Sequence, residues 1–261
     1  MLYIKNKIPL SVFIIAKNEE DRLPEAISSV KEWVDEVIVI DSGSDDRTVQ
    51  VALNLGARVY YNQWEGYGKQ KVFGENKCKQ KWILNIDADE EVNNILKDEI
   101  ITLFQEQNLK KSAYKIKIKI LPRFSKKVMP FAPGHTQVRL YNKDFCGFSV
   151  SPVHDAVIVQ KGKIGRLKGC CIHRSFRSHS HSIKKLDFYS SMQAKELFKK
   201  NKIPSKIRIV IEPFFAFLKA YILKRYMLWG NYGIVQSYIY AFGRLMRLAK
   251  TRELFLKFKK P

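Results

Sequence analysis

Through the first ninety positions, short apolar runs alternate with polar segments whose apolar residues recur at helical spacing. Residues 11–16, 36–40, 58–61 and 82–86 are runs of four to six residues rich in Val, Ile, Phe, Tyr and Trp, which predicts four strands. Between the first two, residues 18–30 place Leu23, Ala26, Ile27 and Val30 on one helical face. Pro24 falls early, where its missing N–H costs nothing. A second helix follows the turn Asp41-Ser42-Gly43-Ser44-Asp45-Asp46, with Val49, Ala52 and Leu53 inside it, and residues 66–78 read as a glycine-punctuated loop and helix. Strands and helices alternating at this spacing predict right-handed crossovers and a mostly parallel sheet. The nearly apolar runs suit strands buried on both faces.

The pattern changes after about residue 112. Residues 114–120 alternate Lys strictly with apolar side chains, as in an antiparallel strand with one wet, basic face. Residues 137–142 and 156–160 predict further short strands. From residue 182 helical spacing dominates, with helices predicted over 184–200, over 206–228 with Pro213 near the start, and over 232–259. The organisation expected is an α/β domain over residues 1–180 and a basic, amphipathic helical extension over 181–261.

Residues 207–229 are rich in Phe, Ile and Leu but include Arg208, Glu212, Lys219, Lys224 and Arg225. Each charge at a bilayer centre costs about 2.5–3.5 kcal/mol, which argues against a span. Two readings stay open: an interfacial helix whose long basic side chains reach water, and a cap packed on the sheet domain. The apolar run at residues 10–15 follows Lys5 and Lys7 as a secretory leader would. It is preceded by Pro9, however, and followed by Lys17-Asn18-Glu19-Glu20 rather than a small-residue cleavage site, so a buried strand is expected.

Composition sharpens this picture in one respect. The 261 residues are 46% hydrophobic and carry a net charge of +22. That is enough apolar material for a substantial core. Up to residue 155 there are 23 basic and 21 acidic residues; beyond it there are 24 basic and 4 acidic. A half so basic and so aromatic suits a polyanion: nucleic acid, an anionic membrane surface or a phosphorylated substrate. Cys78, Cys146, Cys170 and Cys171 show neither a CxxC pair nor zinc-like spacing, which fits reduced thiols.

The candidate chemistry sits at the ends of the predicted strands. Asp87-Ala88-Asp89-Glu90 follows residues 82–86 directly. In open α/β sheets ligands bind beyond the carboxyl ends of the strands, and two carboxylates there can face a hard divalent ion such as Mg2+ or Mn2+. The alternative is an acidic helix cap. Asp41 ends the second strand, where it can accept hydrogen bonds from a base or ribose, and Ala16-Lys17-Asn18-Glu19-Glu20 ends the first. No GxGxxG follows the first strand, which disfavours a dinucleotide cofactor.

With these stretches together, the chain resembles the inverting family 2 glycosyltransferases of GT-A fold, and more narrowly their lipopolysaccharide core biosynthesis branch. The resemblance rests on Ala16-Lys17-Asn18-Glu19-Glu20, Ile40-Asp41-Ser42-Gly43-Ser44-Asp45-Asp46-Arg47-Thr48, Trp64-Glu65-Gly66-Tyr67-Gly68-Lys69-Gln70 and Trp82-Ile83-Leu84-Asn85-Ile86-Asp87-Ala88-Asp89-Glu90. Later stretches are Val138-Arg139-Leu140-Tyr141, Pro152-Val153-His154-Asp155 and His173-Arg174-Ser175-Phe176. The fold implied is a nucleotide-diphospho-sugar transferase sheet, Rossmann-like and mostly parallel. The resemblance implies donor contacts from Asn18, Glu19, Asp41 and Asp87, with Lys69 or Lys71 meeting the nucleotide. It implies Mg2+ or Mn2+ held by Asp89, Asp87 and His173, and Asp155 as the base that activates the acceptor hydroxyl. His173 as a plain packing residue, and Lys69 and Lys71 as a solvated helix face, are the alternatives.

The activity implied is transfer of a sugar, UDP-glucose foremost, from a nucleotide-diphosphate donor to an anionic, lipid-linked saccharide acceptor. The place implied is the cytoplasm, peripherally on the inner face of the cytoplasmic membrane. A sugar-phosphate nucleotidyltransferase would share the sheet and acidic site but carry a glycine-rich basic loop after the first strand. A non-catalytic nucleic-acid-binding protein would account for the charge, yet no helix-turn-helix, zinc-finger or RNP signature is present, so no nucleic-acid partner is expected.

Overall fold

The computed structural model describes residues 7–122, 125, 131–150, 156–174 and 176–258. The chain divides into two compact units, Met1–Lys119 with Gly134–His173, and Ile120–Pro133 with Arg174–Pro261.

The first unit is built on an eight-stranded sheet in the order β3-β2-β1-β4-β7-β6-β10-β5. Its parallel half comprises β1 (Ile8–Ala16), β2 (Val34–Asp41), β3 (Arg58–Tyr61) and β4 (Trp82–Asn85). The register pairs Ala16 with Asp41 and Phe13 with Asn85, so the carboxyl ends of β1, β2 and β4 share one rim. The antiparallel half adds β5 (Glu90–Val92), β6 (Ala113–Ile120), β7 (Gly134–Asn142) and β10 (Ile164–His173). A separate two-stranded ribbon pairs β8 (Cys146–Phe148) with β9 (Val157–Val159).

The parallel runs are apolar because both of their faces are covered. Leu10, Val12 and Ile14 point into one core with Leu23, Ile27 and Trp33, while Phe13 points into the other with Ile38, Ile40 and Tyr141. Helices α1 (Leu23–Ser28), α2 (Thr48–Asn54), α3 (Tyr67–Lys77) and α4 (Asn94–Gln105) connect and cover the strands. The predicted helix over 18–30 shrinks to α1, because residues 18–22 turn back over the strand ends: Arg22 and Leu23 both donate to the Glu19 carbonyl. The sequence pattern missed β5, β8 and β10. The first two are three residues long, and β10 interleaves Arg166 and Lys168 with glycines. All four cysteines are buried free thiols.

The second unit is helical. α5 (His179–Lys199) starts with the Ser178 side chain accepting from the His181 amide, and α6 (Lys206–Leu218) with Ser205 accepting from Arg208. The single helix predicted over 206–228 is broken. After α6 the chain widens into a π-helical turn over Lys219–Leu223, turns left-handed at Arg225 (φ 61°), and closes a 3-10 turn over Tyr226–Trp229. Stacking of Tyr226 on Trp229, with ring centroids 4.5 Å apart, accompanies the break, and α7 (Asn231–Phe258) follows. The segment inserted from residues 120–133 belongs here too. Arg174 Nη1 donates to the Ser125 carbonyl at 2.7 Å, and the Arg225 guanidinium lies 5.9 Å from the Phe131 ring centroid.

Two features of the first unit set stability. A Cβ at Gly169 would lie 2.3 Å from the backbone N and Cα of Leu96, so β10 and the start of α4 meet backbone to backbone. Gly169→Ala is expected to lower the unfolding free energy by about 1–3 kcal/mol, read as a lower urea midpoint at unchanged slope. On the other side of the sheet, Glu75 Oε2 accepts from the Tyr141 hydroxyl at 2.7 Å and the Phe148 amide at 3.2 Å. Burial there raises its pKa above the ordinary carboxylate value, against those two hydrogen bonds and the charge of Lys143. A carboxyl whose folded pKa is raised contributes stability that is fully present below the ordinary carboxylate pKa and is lost as pH rises from there through the raised folded value. Glu75→Gln, which keeps the acceptor and removes the charge, should therefore raise Tm relative to the parent more at pH 8 than at pH 4. An equal difference at both would remove this account.

Candidate functional site

The ends of β1 and β2 on the shared rim are tied together before any ligand is considered. Ser42 donates its amide to the Ala16 carbonyl at 3.1 Å. Asn18, at a left-handed φ of 56°, donates its own amide to Ser44 Oγ at 2.9 Å and accepts the Asp45 amide on its side-chain oxygen at 3.0 Å. Glu19 donates its amide to Thr48 Oγ1 at 2.7 Å. Asp41 is 4% exposed, and its Oδ2 accepts the amides of Gly43 and Ser44 at 2.8 and 3.0 Å. These polar residues shape the rim by fixing its two loops in one conformation.

Beyond β4 the chain presents Asp87 and Asp89 in different surroundings. Asp87 is held by two cations. Lys71 Nζ stands 3.2 Å from its Oδ1, and Arg139 Nη2 stands 2.8 Å from its Oδ2. Lys71 is 1% exposed, although it sits on a helix of otherwise polar pattern. The reason is local. A Cβ at Gly74, one turn on, would lie 2.6 Å from the Phe13 ring, so α3 lies flush on β1 and the neighbouring lysine is carried inward. Arg139 comes from β7. Besides Asp87 it reaches Asn85 Oδ1 at 3.0 Å and Glu90 Oε1 at 2.7 Å, and Glu90 Oε2 accepts the Asp87 amide at 3.1 Å.

Asp89 faces the other way. Its Oδ2 accepts from Arg22 Nη1 at 2.8 Å and lies 3.1 Å from His173 Nε2. Arg22 is itself clamped by Glu19, 2.6 Å away. His173 arrives on β10, whose register sets it opposite Glu90 of β5. Its Nδ1 is buried without a hydrogen-bond partner.

The electrostatics separate the carboxylates. Burial would raise Asp87, but the charges of Arg139 and Lys71 outweigh it and hold this carboxyl well below its usual range. Burial pushes Glu90 up to about 7 against the pull of Arg139, with the charge of Asp87 adding to the rise. Asp89 is lowered despite burial by its hydrogen bond to His173 and by the charges of His173 and Arg22. His173 is raised despite burial by the same bond and by the negative charge of Asp89. Asp87 is thus an ionised acceptor already neutralised, whereas Asp89 and His173 form an adjoining carboxylate–imidazole pair.

Those two side chains fit a divalent cation in part. Asp89 Oδ2 and the His173 Nε2 beside it, 3.1 Å apart, are a suitable donor pair for a metal such as Mn2+ once the imidazole has lost its proton. Among the described residues no group of three or more His, Cys, Asp or Glu side chains could hold a metal ion, so a cation here would need oxygens from a ligand or water as well.

Of the residues singled out in the sequence, the structure brings Lys71, Asp87, Asp89 and His173 together, with Asn18, Glu19 and Asp41 in the adjoining loops. Lys69 instead pairs with Glu65 in solvent at 2.5 Å. Asp155 and His154 lie outside the described residues. Sequence reasoning gave no role to Arg139, Arg22 or Glu90. The available signal was Asn85, a polar residue ending an apolar strand, which once buried needs a partner.

The family model for glycosyl transferase family 2 matches residues 11–148, and the chain belongs to that family. Its sheet is the GT-A sheet, with a helical C-terminal region. An uncharacterised glycosyltransferase of Rickettsia typhi is 46% identical over 257 residues, covering 95% of this chain and 88% of that protein. The lipopolysaccharide core biosynthesis glycosyltransferase LpsC of Rhizobium meliloti is 29% identical over 252 residues, covering 90% of each. Among solved structures, glucosyl-3-phosphoglycerate synthase from Mycobacterium tuberculosis, in complex with Mn2+ and UDP-glucose, is 25% identical over 44% of each chain with a TM-score of 0.36.

Arg139 is the residue whose removal should cost most. Arg139→Met strands Asp87 and Glu90, and the unfolding free energy should fall by about 3–5 kcal/mol in a urea titration. Adding Glu90→Gln should recover part of that loss, since one stranded carboxylate is then neutral; no recovery would show that Glu90 is not the partner that matters.

Proposed function

We propose that this glycosyltransferase inverts configuration as it moves a hexose, from UDP-glucose foremost, to a lipid-linked saccharide acceptor of the lipopolysaccharide core type. The observation that carries the donor half is the division of labour at the β4 end: a neutralised Asp87 beside an Asp89–His173 pair. The acceptor half is supported by the LpsC relative and by the basic C-terminal region.

In this reading Asp87, kept ionised by Lys71 and Arg139, accepts hydrogen bonds from donor hydroxyls, and the Asp41 loop borders the nucleoside. Asn18 and Glu19 keep that loop and Arg22 in place. Asp89 and His173 hold Mg2+ or Mn2+, which supplies positive charge against the diphosphate when bound. Arg22, half-buried beside Asp89, adds a positive charge to the same place. Asp155 removes the acceptor hydroxyl proton as that oxygen attacks the anomeric carbon. The bond from the anomeric carbon to the diphosphate oxygen breaks, and the nucleoside diphosphate leaves with the electron pair.

Asp89→Ala should reduce sugar transfer by at least about 100-fold, on the scale of losing one preorganised charge contact at a transition state. Activity unchanged from the parent, assayed with Mn2+ and UDP-glucose, would end the assignment. Asp155→Asn should lose transfer while UDP binding, measured by thermal shift, is retained. Full transfer by that variant would remove Asp155 as base and leave the donor site standing.

The same reading sets the enzyme at an anionic membrane surface, the cytoplasmic face of the membrane that holds the acceptor. The supporting feature is α6, which is turned inside out. Its inner face against α7 carries Ala216, 7% exposed, and Glu212, which is bonded to Arg247 and Arg208. Its outer face carries Ile207, Val210, Ile211 and Phe214, with Val210 76% and Phe214 62% exposed. Lys206 and Arg208 flank that stripe. Apolar side chains facing outward among cations suit the boundary between acyl chains and anionic headgroups. Among the described residues no helix is long and apolar enough to cross a membrane. Val210→Ser/Phe214→Ser should abolish flotation with anionic vesicles and leave Tm unchanged. Flotation equal to the parent would reject α6 as the docking element.

A further inference from the structure

The second unit holds a cavity of about 350 Å3 that the donor chemistry does not use. It opens along α5 and α7, and its lining divides into three kinds of group. Leu186, Ile239 and Phe176 make apolar wall. Tyr189, Tyr226 and Tyr240 contribute aromatic rings with hydroxyls, and Gln193 and Gln236 are amide side chains. Lys185 and Arg244 supply positive charge, and among the described residues no carboxylate lines the cavity.

Three of the four acidic residues beyond residue 156 are engaged with other cations: Asp187 is paired with Lys250 at 2.7 Å, Glu196 with Lys200, and Glu212 with Arg208 and Arg247. Cations crowd Tyr240 instead. Arg244 Nη2 donates to its hydroxyl at 3.1 Å, and Lys224 Nζ stands 4.5 Å from its ring centroid. The phenol responds: although burial opposes it, the hydrogen bond and charge of Arg244, with Lys224 and Lys219, draw its pKa below the ordinary value. The cavity therefore sits at positive potential.

Each kind of group recognises a different part of one chemical class. Aromatic faces stack on the C–H faces of a sugar ring, amides donate to and accept from hydroxyls, and an ammonium with a guanidinium recognises phosphate or carboxylate. We propose that the α5–α7 cavity is a binding site for a negatively charged saccharide, a sugar ring bearing phosphate or carboxylate, and serves as a subsite for the acceptor. Its role as an acceptor subsite rests on the function proposed above; its chemistry as a binding site does not.

The test is calorimetric titration of the full chain with glucose 6-phosphate, glucuronate, glucose and inorganic phosphate, each with and without UDP and Mn2+. At least one charged sugar is expected to bind about 10-fold or more tightly than glucose or phosphate, regardless of UDP. Comparison of the two charged sugars shows which anion is preferred. Arg244→Ala and Lys185→Ala should each weaken that binding about 10-fold and leave UDP binding unchanged. Gln193→Trp, at an exposed position on the cavity rim, should block it without altering charge, and decides the matter if a charge variant fails to fold. Charged sugars that bind no better than glucose or phosphate, or that bind equally to a folded Gln193→Trp protein, overturn the proposal. Failure of UDP to bind while the charged sugar still does would instead overturn the donor reading and leave this site intact.

Discussion

One guanidinium holds the first unit's chemistry in place. Arg139 extends from β7, whose pairing of Leu140 with Leu84 joins the parallel and antiparallel halves of the sheet. Past the last of those backbone pairs, the side chain continues the junction by bonding Asn85, Asp87 and Glu90. It is 2% exposed, so its charge must be matched where it lies. Asp87 and Glu90 meet that need, and their positions follow from it. Glu90 in turn begins β5, the strand against which β10 brings His173 opposite. Asp87 and Glu90 are therefore matched to one arginine that has to be satisfied, and His173 takes its place opposite Glu90.

Much of this was readable in the sequence, and the parts that were not share a physical reason. The parallel strands were legible because burial on both faces leaves an unbroken apolar run. Asp41, Asp87 and Asp89 were legible because they directly follow such runs. β5 and β8 were not, since three residues carry no period, and β10 was hidden by the lysine and arginine on its wet side. Arg139 and Arg22 escaped because a basic residue in a chain with 47 of them has no local mark of burial. What distinguishes them is the partner met across the sheet, and that is a property of topology. The break after α6 was similarly invisible: residues 206–228 keep an apolar periodicity throughout, while the left-handed Arg225 and Gly230 answer to packing.

The two units treat charge in opposite ways. In the first, acids and bases are nearly balanced and the buried ones meet across the sheet. In the second, four acids stand against a large cationic excess, and two of them, Asp187 and Glu212, tie helices to α7. Of the other cations, Lys185 and Arg244 line a cavity and Lys206 and Arg208 border an apolar stripe. A fold can carry such charge only at its surface, where water screens it.

The covalent route between the units has a kinetic side. The chain passes from the first unit to the second at residue 120, returns at 134 and leaves again at 174. The helical unit is thus assembled from an early segment, represented by Ser125 and Phe131, and a late one that supplies Arg174 and Arg225. During synthesis the early segment emerges first and must wait, unsatisfied, until α5 to α7 have been made. Contacts of such sequence separation carry a loop-closure cost that local helical contacts do not. Closing this unit is therefore expected to be slower than its helical content suggests, with the β6–β7 hairpin formed beforehand to hold the waiting segment in reach.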